Sequence, residues 1–224
     1  MKGMLVLLLG LAGLSLPLQA GVSNNWEPEW RPLYDLVDAD LQAQLEARIF
    51  ADPQWASLAS MQKMSIGVVD LNGAEPRFAR INGNTMMYAA SMPKIAILLA
   101  AYVALEDGTL ADTPEIRKDM GAMIRVSSNA AATRMIDRIG MQRIDNILMD
   151  PRYGFYDKAR GGGLWIGKRY AKEGRRMGDP MHGISHGATV TQVCRFYYQL
   201  AAGELVGPRW TEAMLHDLSD PGID

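Results

Sequence analysis

The segment Tyr88-Ala-Ala-Ser91-Met-Pro-Lys94 places a serine hydroxyl and a lysine amine three residues apart, then runs into the apolar block Ile95 to Leu105. On a helix, residues at i and i+3 share a face, about 5–6 Å apart at Cβ. The amine is then placed to take the proton of the hydroxyl and make it a nucleophile toward a carbonyl. A lysine can be that base only where burial or a cationic neighbour lowers its pKa from about 10.4. The apolar block behind Lys94 supplies the burial. The backbone N–H of Ser91, near a helix N-terminus, suits a developing oxyanion. A bare Ser-x-x-Lys is also what a helix-capping serine and a solvated first-turn lysine look like. Ser60-Met-Gln-Lys63 repeats the pattern, but in a polar stretch that has no such setting.

The elements that must position this pair can be read along the chain. An amphipathic stretch spans 33–50, with Leu41, Leu45 and Ile49 at helical spacing. Met64 to Leu71 is a β-branched run that stops at Asn72-Gly73, and Arg77 to Ile81 reads as its hairpin partner. Ser91 follows, so the nucleophile lies where a sheet hands over to a helix. From Met92 to Glu106 the chain is apolar on nearly every face, the mark of a helix buried all round. Asp107-Gly108 ends it with a left-handed cap, and Thr113-Pro114-Glu115 starts a helix to about Met123. Further helices span 129–139 and 142–149, and another runs from Thr191 to Ala202. Between them, residues 150–187 are rich in glycine, aromatics and basic residues, without a period. A loop that long inside a compact domain is often functional. Two strands and then mostly helices indicate a mixed α/β (α+β) fold, an antiparallel sheet lobe with a helical lobe inserted into it.

Thirty-six residues after Ser91, at a helix–helix junction, comes Ser127-Ser128-Asn129. Ser91-Met-Pro-Lys94 opening a buried helix, followed by Ser127-x-Asn129, resembles the serine β-lactamase and penicillin-binding protein superfamily, with class A β-lactamases the closest branch. Asp107-Gly108 and the stretch from Ala188 to Leu205 extend the likeness. It implies the β-lactamase/transpeptidase-like fold over residues 21–224 and a β-lactam or a peptidoglycan D-alanyl peptide as substrate. Ser91 would be the acylated nucleophile, with Lys94 helping to deprotonate it. Ser127 would relay the proton to the leaving nitrogen, and Asn129 would bind the substrate amide. No cofactor and no metal are implied. Three features depart from the family: Ser128 stands where the motif has an acid, no Glu-x-x-Leu-Asn box is present, and no Lys-Thr-Gly or Lys-Ser-Gly triplet occurs. Asp157 is the acid best placed to replace the missing glutamate. The absent triplet implies that the C-terminal sheet strands are missing from the chain as written. An enzyme that acylates without deacylating would be a penicillin-binding peptidase, and a non-catalytic periplasmic binding protein on the same scaffold is the competing class.

Residues 1–20 read as a secretory signal: Lys2, an apolar core from Leu5 to Leu16, and the small-residue exit Leu18-Gln19-Ala20. Its core is too short to span a membrane. The expectation is a secreted or periplasmic monomer without a membrane anchor after cleavage. A net charge of −2 gives no electrostatic reason for a nucleic-acid partner. Cys194, the single cysteine, lies in an apolar helical stretch and reads as a buried structural thiol. His182 and His186 have metal-pair spacing, but Gly183 and Gly187 argue against a helix there. Gly161-Gly-Gly163 reads as a device that lets the long loop fold closely. The basic run Lys168, Arg169, Lys172, Arg175 and Arg176 reads as a solvated face.

Overall fold

The computed structural model describes residues 31–219 and residue 222. The signal sequence expected over residues 1–20 lies outside the described residues. None of the described helices is long and apolar enough to cross a membrane. The chain divides into two compact units that meet at residues 82 and 83.

In the first unit a single 3-10 turn, Leu33–Leu36, precedes α1 (Ala39–Phe50), so the expected stretch 33–50 is broken at Val37 and Asp38. Asp38 interrupts it for a local reason: its carboxylate accepts from the Leu41 N–H at 2.7 Å and caps α1. A second helix, α2 (Pro53–Ser60), occupies what the sequence suggests is a polar stretch. Asp52 caps it by accepting from Gln54 N and Trp55 N, and Pro53 fills its first turn, where the missing N–H costs nothing. Ser60 is the last residue of that helix. The hairpin β1 (Ile66–Asp70) and β2 (Arg77–Ile81) is antiparallel, with Ile66 opposite Ile81 and Asp70 opposite Arg77. Leu45, Ile49, Ala59, Met64, Ile66, Ala79 and Ile81 form the core between the helices and this hairpin.

The second unit is built around α3 (Lys94–Glu106), which is buried on every face as its uniform apolarity requires. Gly108, at φ +76°, takes the left-handed conformation that closes it. Around it stand α4 (Pro114–Arg125), α5 (Asn129–Ile139), α6 (Met141–Met149) and α8 (Pro208–Ser219). The α4 cap is Thr113, and α5 ends at Gly140, both at the expected positions. Asp119, buried on α4, binds Arg134 and Arg138 of α5 and ties the two helices together.

The turn that carries Ser91 does not follow the hairpin directly. A short strand, β3 (Met87–Tyr88), intervenes and pairs antiparallel with β7 (His186–Ala188), which also pairs with β6 (Trp165–Ile166). Another small pair, β4 (Tyr156–Asp157) with β5 (Gly162–Gly163), lies within the long loop. The fold is thus mixed helix and antiparallel sheet, as expected, but its sheets are small. The loop returns to α7 (Val190–Ala201), capped by Thr189. Cys194 is buried in α7, and burial pushes its thiol up to about 12, too high to form a nucleophilic thiolate at neutral pH.

Candidate active site

Ser91 sits in a turn rather than on the regular helix. The Met92 N–H bonds back to Ala89 O at 2.9 Å, which makes Ala90 and Ser91 the central residues of a β-turn. Ala90 has φ +47°, a left-handed conformation that costs an L-residue about 1–2 kcal/mol. The chain then winds through three successive i→i+3 bonds, from Lys94 N, Ile95 N and Ala96 N to Ser91 O, Met92 O and Pro93 O. In such a 3-10 entry residues i and i+3 eclipse, so Ser91 and Lys94 lie one above the other.

The second turn of the site is Val126-Ser127-Ser128, between α4 and α5. Ser127 also has a positive φ, +52°. Ser128 braces the junction, because its Oγ accepts from Ala131 N at 3.2 Å and its N–H bonds to Ala122 O. Strained residues of this kind persist only where their surroundings over-determine them, and they cluster at functional sites.

Lys94 joins the two turns. Its side chain is buried, the residue being 2% exposed, and its Nζ donates to Ser127 Oγ at 2.9 Å, to Asn129 Oδ1 at 2.9 Å and to the Ser127 carbonyl at 2.5 Å. Three acceptors match the three N–H groups of an ammonium. Burial nevertheless lowers the Lys94 pKa to about 8. The structure therefore brings Lys94, Ser127 and Asn129 into one hydrogen-bonded cluster. Ser91 stands on the adjoining turn, with its side chain outside that set of bonds.

Residues 54–120, which include Ser91 and Lys94, match the model of the beta-lactamase enzyme family. Eight chains of solved structures match this one. One is a beta-lactamase from Sphaerobacter thermophilus, with a TM-score of 0.59 at 17% identity over 81% of this chain and 70% of that one. Another is PBP-A, with a TM-score of 0.55 at 17% identity over 85% of this chain and 70% of that one. A PBP-A mutant in an acyl-enzyme complex with penicillin G has a TM-score of 0.56, with the same identity and coverage. No curated protein matches.

The chain has the fold of the serine β-lactamase and penicillin-binding protein superfamily.

On this β-lactamase-like scaffold the long loop after α6 covers the lysine. Tyr170 sets its ring 4.8 Å from Lys94 Nζ and donates its hydroxyl to Ala90 O at 3.0 Å. His186 also packs against that ring, with centroids 4.3 Å apart, and its Nε2 lies 3.0 Å from Lys168 O. Burial holds His186 below its ordinary pKa and pushes the Tyr170 phenol up, so both are neutral near pH 7. Asp179 is the hub of the loop: its carboxylate accepts from the Tyr156 hydroxyl and from the N–H groups of Met181, His182 and Ile184. Burial pushes that carboxyl up, but these hydrogen bonds outweigh it and hold it below the usual range.

Three sequence readings bear on this loop. Asp157, the acid suggested as a substitute base, is engaged by its own turn, accepting from Ala159 N at 2.9 Å and pairing with Arg160 at 3.2 Å. His182 and His186 bond to different carbonyls, Gly161 O and Lys168 O. Gly163 does permit close folding, since a Cβ there would lie 1.9 Å from Phe155 O. Sequence reasoning missed Tyr170 as a site residue. It is one aromatic among several in an aperiodic segment, and no local pattern sets it apart.

Proposed function

We propose that this chain is an exported serine hydrolase of the class A β-lactamase-like group, opening the amide of a β-lactam through an acyl-enzyme on Ser91. The observation that carries the reading is the buried Lys94 amine, held between Ser127 and Asn129 beside the Ser91 turn. With a pKa of about 8, an appreciable fraction of Lys94 is neutral near pH 7, whereas an ordinary lysine is almost wholly charged.

Neutral Lys94 accepts the Ser91 proton as Oγ bonds to the carbonyl carbon. The tetrahedral intermediate then collapses: the C–N bond breaks, and the proton passes from Lys94 through the Ser127 hydroxyl to the leaving nitrogen. Ser127 suits this relay because a hydroxyl both donates and accepts. The Asn129 Oδ1 is taken by Lys94, which leaves its amide N–H groups to meet the substrate carbonyl. Water then hydrolyses the ester and restores Ser91.

A specific observation favours a second reading, that of a D-alanyl-D-alanine peptidase or penicillin-binding protein that deacylates slowly. Of the acids in the long loop, Asp157 and Asp179 both spend their carboxylates on the loop's own turns. Neither then serves as base for the deacylating water. The experiment is incubation of the full-length chain with a fluorescent penicillin. A covalent adduct that Ser91→Ala abolishes supports the acyl-enzyme, and its lifetime separates the readings: seconds for a lactamase, hours for a peptidase. Folded protein that forms no adduct overturns both and leaves the non-catalytic binding protein.

A further inference from the structure

The peptide that joins Ala90 to Ser91 is held at one end and open at the other. Its carbonyl oxygen accepts the Tyr170 hydroxyl at 3.0 Å. Its N–H, that of Ser91, makes no hydrogen bond among the described residues. In a trans peptide the C=O and the N–H point in opposite directions, so an anchor on the oxygen sets the direction of the N–H. The flanking residues are held as well: Ala89 N–H bonds to His186 O at 2.8 Å, and Met92 N–H bonds to Ala89 O. The left-handed Ala90 is thereby pinned from both sides.

We propose that Tyr170 is the positioning residue for an oxyanion donor: by donating to Ala90 O it aims the Ser91 N–H at the oxygen of an acyl group carried on Ser91 Oγ. The inference rests on the acyl-enzyme reading given above. Hydrogen bonds in series polarise one another, so the same contact strengthens Ser91 N–H as a donor. Tyr170 is itself held in place, with its ring against His186 and against the Lys94 amine. Its proton stays on the phenol throughout, and its hydroxyl touches no reacting atom.

The test is Tyr170→Phe in the full chain, which keeps the ring over Lys94 and on His186 and removes only the O–H. Acylation by the fluorescent penicillin is expected to slow about 10-fold, less than the 10²–10³ that loss of an oxyanion donor costs. The infrared ester band of the penicilloyl adduct is expected at higher wavenumber, because its carbonyl is less polarised. The pH midpoint of acylation is expected to stay where it is, because the ring still covers Lys94. Unchanged rate and unchanged ester band overturn the assignment. If Tyr170→Phe fails to fold, replacement of Tyr170 by 3-fluorotyrosine keeps the phenol and makes it a stronger donor. The band must then move to lower wavenumber, and a band that stays put overturns the assignment. A wild-type chain that forms no adduct at all fails differently, since it overturns the acyl-enzyme reading and this assignment with it.

Discussion

The two sides of the site are built in opposite ways. Lys94, Ser127 and Asn129 stand on or beside α3 and α5, helices with local caps, buried apolar faces and the Asp119–Arg134–Arg138 tie between α4 and α5. Hydrogen bonding from Arg134, with that from Arg138, holds the Asp119 carboxyl at about 2 against the opposing effect of burial. The side that carries Tyr170 and His186 has strands of two or three residues and glycines with no room for a Cβ, organised round one carboxylate, Asp179. The helical side can hold a charge-bearing group in place because its backbone bonds are satisfied within each helix. The loop side holds its aromatics through contacts between separate turns of the loop and with the Ala90 carbonyl. The helical side thus holds the Lys94 amine, while the loop side holds the turn that carries Ser91.

The largest break should come on the helical side. Lys94→Met removes the proposed base and keeps the volume, so penicillin acylation is expected to fall by about 10²–10⁴ in stopped-flow fluorescence while the protein melts no lower. A Lys94→Met chain that acylates at the wild-type rate would move the base elsewhere. Next is the pH profile. If neutral Lys94 is the base, acylation rises with pH to a plateau, with its midpoint near the lysine pKa of about 8. Asn129→Asp puts a carboxylate against the ammonium and favours the charged form, so the midpoint should move up by about one unit. A midpoint that moves down would contradict the cluster.

On the loop side, Asp179→Ala leaves the N–H groups of Met181, His182 and Ile184 without their acceptor. A loss of about 3 kcal/mol lowers the melting temperature by about 6–12 °C. Proteolysis confined to 150–188, with acylation reduced only severalfold, would sharpen the contrast, and cleavage within α3 or α5 would blur it. The smallest effect on acylation is expected on α6. Asp145 is buried, its Oδ1 has no partner, and burial pushes its carboxyl up to about 7. An acid with a raised folded pKa costs stability progressively as pH rises from the unfolded value through the folded one. Asp145→Asn should therefore melt higher at pH 8 and be unchanged near pH 4, by calorimetry. A gain at both pH values would mean that charge is not the cause.

How much of this was legible depends on the reach of each interaction. Arg77–Ile81 and Asn129–Ile139 have the expected ends, because turn pairs, caps and terminal glycines act within a few residues. The helix Pro53–Ser60 carried its own signal in Asp52-Pro53, but its eight residues are too short for apolar periodicity to show. The three-stranded sheet was hidden for a stronger reason. Strands of two or three residues have no period, and β3 finds β7 only across about a hundred residues of chain.

By itself, then, the sequence determined α1, α3 to α7 and several of their ends, and the placing of Ser91 and Lys94 at i and i+3 before a helix that must be buried. Tertiary structure alone decided where the Lys94 protons go. Its three bonds run not to Ser91 but to Ser127 and Asn129, and Tyr170 comes back across eighty positions to hold the Ala90 carbonyl. Local patterns fix a backbone through bonds that close within a turn. The partners of a buried amine are chosen by which distant surfaces pack against it, and no short segment encodes that.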